Sequence, residues 1–206
     1  MRVRHHTNPF QCLQKYGPID WEQVFGEPTT SLDLEIGVGR GVFIRNYAKR
    51  YPDRKIVGIE VRKILAETLD TLIQSPEYQN IRMYYGNGVT FLQDSIQMPI
   101  LDRVFVFHPD PWPKASHHKR RVIQPAFLES VSEKMNPGGR LYFSTDNAGL
   151  WNDTDEILRN SKYFEAVVGD PFWEEDYTSH WHQFSVRDGR NVRFSAWQKI
   201  NLTEDK

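Results

Sequence analysis

A chain of 206 residues that is 39% hydrophobic and 13% aromatic can bury one substantial core, and a formal net charge of -1 excludes a surface that coats polyanions throughout while leaving room for a local basic patch. The single cysteine, Cys12, excludes an intramolecular disulfide and has no partner at CxxC spacing. With no apolar leader in residues 1–30 and no apolar run of about 18 residues, a cytoplasmic setting away from the membrane is expected.

The first 30 residues read as an irregular N-terminal arm, basic at "RVRHH", and residues 31–206 as a single domain. Strands are expected at 31–36 ("SLDLEI"), 55–60 ("KIVGIE"), 81–85 ("IRMYY"), 103–107 ("RVFVF") and 140–144 ("RLYFS"), apolar on both faces as buried parallel strands are. Amphipathic segments at 42–50, 62–74, 88–95, 120–135 and 148–160 predict helices between them. Pro137-Gly138-Gly139 is expected to end the fourth of these. Beyond Lys162, "YFEAVVG" and "NVRFSAWQKI" predict an antiparallel pair at the sheet edge, joined by a polar and aromatic segment without a clear helix. The fold class is therefore α/β: a Rossmann-like, mostly parallel seven-stranded sheet with an antiparallel edge strand and helices on both faces.

The first strand runs into "LEIGVGRG", where Gly37, Gly39 and Gly41 let the backbone pass close to a ligand. The dinucleotide fingerprint GxGxxG would need glycine at 42, which is Val42, and Glu35 before the loop would repel a pyrophosphate but suit a cation. Glu60, ending the second strand, is placed to accept hydrogen bonds from ribose hydroxyls. Ribose and cation without phosphate describe S-adenosylmethionine, with Asn87 of "GNG" at the adenine edge. A bare strand-to-helix turn and an NAD site are the competing readings.

The fourth strand runs into "HPDPWPKASHHKRR", residues 108–121. Pro109, Pro111 and Pro113 stiffen this loop, so that Asp110 can accept from the guanine Watson-Crick edge while Trp112 stacks on the base. Lys114, His117, His118, Lys119, Arg120 and Arg121 are candidate phosphate contacts; a solvated helix start is the bland alternative. No HxxxH or HExxH spacing supports a metal site. In "FSTDN", Asp146 is open to two roles, a contact on the same rim as Asp110 or the cap of the next helix, with Thr145 or Asn147 as other caps.

"LEIGVGRG", "GIEVR", "FHPDPWPKASHHKRRVIQP" and "FSTDN" resemble, in order and spacing, the tRNA (guanine-N7)-methyltransferase family, whose bacterial members methylate guanine 46 of the variable loop. The resemblance implies S-adenosylmethionine as cofactor, S-adenosylhomocysteine as product, no metal, and tRNA as partner of a monomer or homodimer. It implies cofactor contacts at Glu35, Glu60, Asn87 and Asp110, with Asp110 catalytic, and substrate contacts at Lys114 and Asp146. Where the family motif has Thr, two residues and Glu, this chain has Thr178 and Trp181, which moves a guanine contact toward His182 or Gln183. A class I methyltransferase on another substrate, and a binding-only tRNA relative, are the alternative functions.

Overall fold

The computed structural model describes residues 7–201. In chain order the elements are α1 (Trp21–Phe25), β1 (Leu32–Ile36), α2 (Val42–Arg50), β2 (Ile56–Glu60), α3 (Lys63–Leu72), β3 (Ile81–Tyr85), α4 (Gly88–Ser95) and β4 (Leu101–Phe107). They continue with α5 (Pro125–Lys134), β5 (Met135–Thr145), α6 (Ala148–Arg159), β6 (Phe164–Val167), α7 (Phe172–Glu175), α8 (His180–Arg187) and β7 (Arg193–Lys199). The sheet order is β3-β2-β1-β4-β5-β7-β6, parallel except for β7, which runs antiparallel to both neighbours.

Alternation along the strands divides the core between the two faces. Leu34, Ile36, Val104, Val106 and Phe143 pack with Phe91 of α4 and Phe127 of α5. Phe105, Phe107 and Tyr142 pack with Phe43 and Tyr47 of α2, Phe172 of α7 and Tyr177. Asp33 and Glu35 alternate with Leu34 and Ile36 on a fully buried strand. Asp33 is satisfied by Tyr47 at 2.8 Å and by Arg54 at 2.6 and 2.7 Å. Glu35 has no such partners, and its position matters below.

Three expectations are corrected. The helix foreseen over 120–135 begins at Pro125, whose fixed φ suits a first helical residue, and a 3-10 turn, Ala115–Arg120, precedes it. Pro137-Gly138-Gly139 does not follow that helix as a stop, because β5 already starts at Met135. The ladder pairs Leu101 with Met135 and resumes at Arg103 with Arg140, so residues 136–139 loop out of register. The segment between β6 and β7 holds two helices, α7 and α8; the latter is capped by Ser179, whose hydroxyl accepts from the His182 amide.

The arm is not wholly irregular. Its basic "RVRHH" stretch lies outside the described residues, but Trp21 of α1 is buried and meets Tyr84 and Phe91 edge-on. The Tyr16 hydroxyl donates to the Tyr85 carbonyl at 3.0 Å. Among the described residues, no helix is long and apolar enough to cross a membrane.

Candidate functional site: a cleft at the switch point of the sheet

β1 lies between β2 and β4, so the chain crosses over on opposite sides of it and opens a crevice at the carboxyl ends of β1 and β4. An open cleft occupies this place. Gly37, Glu60, Arg62, Asn87, His108 and Asp110 are among its lining residues. Segments 36–37, 59–62, 86–89 and 108–112, distant in sequence, thus meet.

The glycine loop shapes the first wall. Gly37, Gly39 and Gly41 have φ of 84°, 61° and 70°. At Gly41 an added Cβ would lie 2.3 Å from a methyl of Leu69, so α3 closes on α2 only over a glycine. The loop also delivers a donor: the Gly39 amide is 2.7 Å from Oε2 of Glu60. Oε1 of Glu60 accepts from the Arg62 amide and Nε, both at 2.9 Å, and Oε2 from Arg62 Nη2 at 3.1 Å. Arg62 was missed from the sequence; its only signal is a cation two residues after the acid. Both acceptor sites of each carboxylate oxygen are taken, so a ribose diol binds Glu60 by displacing the Arg62 guanidinium, whose side chain is 42% exposed.

Glu35 is a different kind of carboxyl. It is 3% exposed, its Oε2 is buried without a partner, and no hydrogen bond reaches either oxygen among the described residues. Burial first, and the neighbouring Glu60 charge second, push its pKa well above the ordinary value. A buried acid lacking a donor is a seat for a cationic or hydrogen-bond-donating ligand. Glu35 itself is not among the residues that line the cleft; Ile36 and Gly37, which follow it, and Glu60 are. Asn87 also lines the cleft, but its amide is occupied: Oδ1 caps α4 by accepting from the Val89 amide at 2.9 Å, and Nδ2 donates to the Pro9 carbonyl at 3.2 Å.

The proline loop forms the opposite wall. His108 and Trp112 hold φ of 45° and 43°, left-handed values that cost a non-glycine residue of order 1–3 kcal/mol and persist where surrounding contacts enforce them. Asp110, between them, faces the cleft wall. Trp112 lines the cleft with its indole largely buried; His117 meets it edge-on, and the Arg120 guanidinium lies 4.9 Å from its ring centroid. Arg121, by contrast, is not at the surface. It is buried, donates to the Pro111 carbonyl at 2.9 Å and pairs with Asp153, so it props the loop from beneath. His118 joins that cluster, 3.0 Å from Arg121 and 3.4 Å from Asp153. Lys114 and Lys119 are exposed, while His117 and Arg120 are half-buried.

Asp146 directly follows β5 beside this loop but does not cap α6; Asn147 does, accepting from the Leu150 amide at 2.8 Å. The Asp146 carboxylate accepts from Trp181 Nε1 at 3.2 Å, Ser185 Oγ at 2.9 Å and Arg190 Nη1 at 3.0 Å. Burial opposes its charge, yet donors at His108, Arg190 and Ser185 prevail and hold its pKa well below the carboxylate range. Thr178 sits just before the α8 cap, and Gln183 Nε2 approaches its hydroxyl at 3.5 Å. The structure therefore brings Glu60, Asn87 and Asp110 into one cleft and ties Asp146 to the α8 region. No group of three metal-ligating side chains occurs among the described residues.

Comparison with known proteins agrees with this geometry. A family described as putative methyltransferase matches residues 29–195. The tRNA (guanine-N(7)-)-methyltransferase of Nitrosococcus oceani is 36% identical over 143 residues, 69% of this chain and 58% of that protein. Enzymes of the same name from Thermosynechococcus vestitus and Nitrosomonas europaea are 33% and 35% identical, covering 71% and 77% of this chain and 70% and 73% of theirs. Among solved structures, the 16S rRNA methyltransferase KamB superposes with a TM-score of 0.61 at 13% identity over 90% of this chain and 95% of that one. The aminoglycoside resistance methyltransferase NpmB1 superposes with 0.58 at 17% identity over 87% and 92%. These two show the fold, whereas the sequence matches decide the lineage: the chain belongs to the tRNA (guanine-N7)-methyltransferase family.

Proposed function

We propose that this chain transfers a methyl group from S-adenosylmethionine to N7 of a guanine in tRNA, the target being guanine 46 of the variable loop. The observation that carries the reading is the meeting of Glu60 and the glycine loop with Asp110 of the proline loop around one cleft at the sheet's switch point. Bound there, S-adenosylmethionine supplies an electrophilic methyl on a sulfonium.

Guanine N7 has an in-plane lone pair and no proton, so the reaction needs no general base. Positive charge moves from sulfur to the purine, and the protein's task is alignment, which can contribute about 7–11 kcal/mol when the reacting atoms are well oriented. In this reading Glu35 and Glu60 fix the amino acid and ribose ends. Asp110 holds the guanine edge and offsets the charge that develops on the ring. Lys114, Lys119 and Arg120 meet phosphates, and Thr178 with the start of α8 flanks the base.

The test is methyl transfer to an unmodified tRNA transcript, followed by borohydride and aniline cleavage, which breaks the chain at N7-methylguanine. Cleavage in the variable loop is expected. Cleavage elsewhere keeps the chemistry and discards position 46; label without cleavage discards N7 as the acceptor.

A further inference from the structure

Asp146 is a carboxylate placed between the proline loop and the C-terminal region. Its Oδ2 takes three donors from the α8 side: Trp181 and Ser185 of the helix and Arg190 just beyond it. Its Oδ1 lies 3.7 Å from Nδ1 of His108, an ion-pair contact longer than a hydrogen bond, at the residue that turns the chain out of β4. The other face of His108 is held as well. Nε2 is 2.9 Å from the Tyr177 hydroxyl, which is 2.7 Å from Ser144 Oγ on β5. His108 and Ser144 are 2% and 0% exposed and Tyr177 is 9% exposed, so these contacts are made away from water.

This cluster surrounds the backbone that needs support. His108 has φ of 45°, two residues before Asp110, and a non-glycine residue keeps such a conformation only when its neighbours over-determine it. Here they are Tyr177 and Asp146, one preceding α8 in sequence and the other bonded to it. The backbone turn that carries Asp110 toward the cleft is thus fixed by residues that do not line the cleft.

We propose that Asp146, His108 and Tyr177 are positioning residues: they form a buried hub through which the α8 region holds the proline loop, and with it Asp110, in its working orientation. Asp146 in this account organises the protein rather than reading the guanine. The inference rests on the proposed role of Asp110, and its test separates the two. Tyr177→Phe deletes the hydroxyl that bridges His108 and Ser144 while keeping the ring that packs on Phe107 at 4.8 Å. His108→Gly relieves the left-handed strain but removes the imidazole, leaving a space that added imidazole can refill.

Two readouts apply, one free of any substrate. Amide exchange at Asp110, Trp112 and Lys114 is expected to rise at least fivefold in Tyr177→Phe and in His108→Gly, with imidazole partly reversing it in the latter. In turnover, both variants are expected to lose about tenfold or more in kcat, and in Tyr177→Phe, at a residue outside the cleft lining, the cofactor dissociation constant is expected within twofold of the parent. Asp146→Asn is expected to follow them, with KM for tRNA little changed. Unchanged loop exchange in Tyr177→Phe overturns the hub. So does an Asp146→Asn protein whose KM for tRNA rises at constant kcat, which would make Asp146 a substrate ligand. If the parent protein transfers no methyl to tRNA, the functional proposal fails, and the exchange measurement still decides the hub.

Discussion

At the residue scale, two acids near the carboxyl ends of neighbouring strands have been given opposite environments. Glu60 is clamped by the Gly39 amide and by Arg62, whereas Glu35 is buried with no donor. Of such a pair, the acid without a partner keeps the proton. The sign follows from the raised pKa of folded Glu35, caused by burial and then by Glu60. Its neutral carboxyl favours the folded state below the unfolded pKa, and that contribution is lost as pH rises toward the folded pKa. A bound cation favours the ionised form, so cofactor binding should release a proton and tighten with rising pH across that window. Calorimetric titration with S-adenosylmethionine in two buffers of different ionisation enthalpy measures this directly. Release of about one proton is expected, and none from Glu35→Gln; a buffer-independent heat in the parent would show that Glu35 does not titrate on binding.

At the element scale, the strand-helix alternation was legible because each strand pairs local apolar runs with turn residues. The glycine loop was legible too, since the backbone of Gly37, Gly39 and Gly41 has to take the left-handed values glycine permits. What could not be read were relations among distant residues. The contact of Gly41 with Leu69 is one, and it predicts that Gly41→Ala destabilises the fold by roughly 1–3 kcal/mol, seen as a lowered melting temperature. A wild-type melting temperature would show that α3 can shift aside. Arg121 is another: in sequence it belongs to a basic run, but its burial against Asp153 is set by α6, 32 residues on. The Arg120 guanidinium over the Trp112 ring is a third, because it arrives there only once the 3-10 turn forms. Helix α8 escaped notice because its eight residues carry four aromatic or histidine side chains and little periodic signal.

At the scale of the whole molecule, a net charge of -1 means that a polyanion must be met by a local surface, not by the overall field. The exposed Lys114 and Lys119 and the half-buried Arg120 follow the proline loop directly, next to the cleft wall. If each neutralises one phosphate, replacing Lys119 with Gln should reduce the slope of log affinity against log salt by about 0.7–0.9. Arg121→Gln should instead lower stability, because it removes the guanidinium partner of Asp153 and leaves the Pro111 carbonyl without its donor. Filter binding at four salt concentrations, with thermal melts of both variants, checks the pair. An equal loss of slope in both would mean that Arg121 reaches phosphate after all.

The central claim is that this cleft delivers a methyl group to guanine N7. It is tested most directly by offering labelled S-adenosylmethionine with two otherwise identical tRNA transcripts, one carrying guanine at the target position and one carrying 7-deazaguanine, which lacks only the accepting nitrogen. The account predicts label in the first transcript and none above background in the second. Equal label in both would contradict it, because the methyl group would then be going to an atom other than N7.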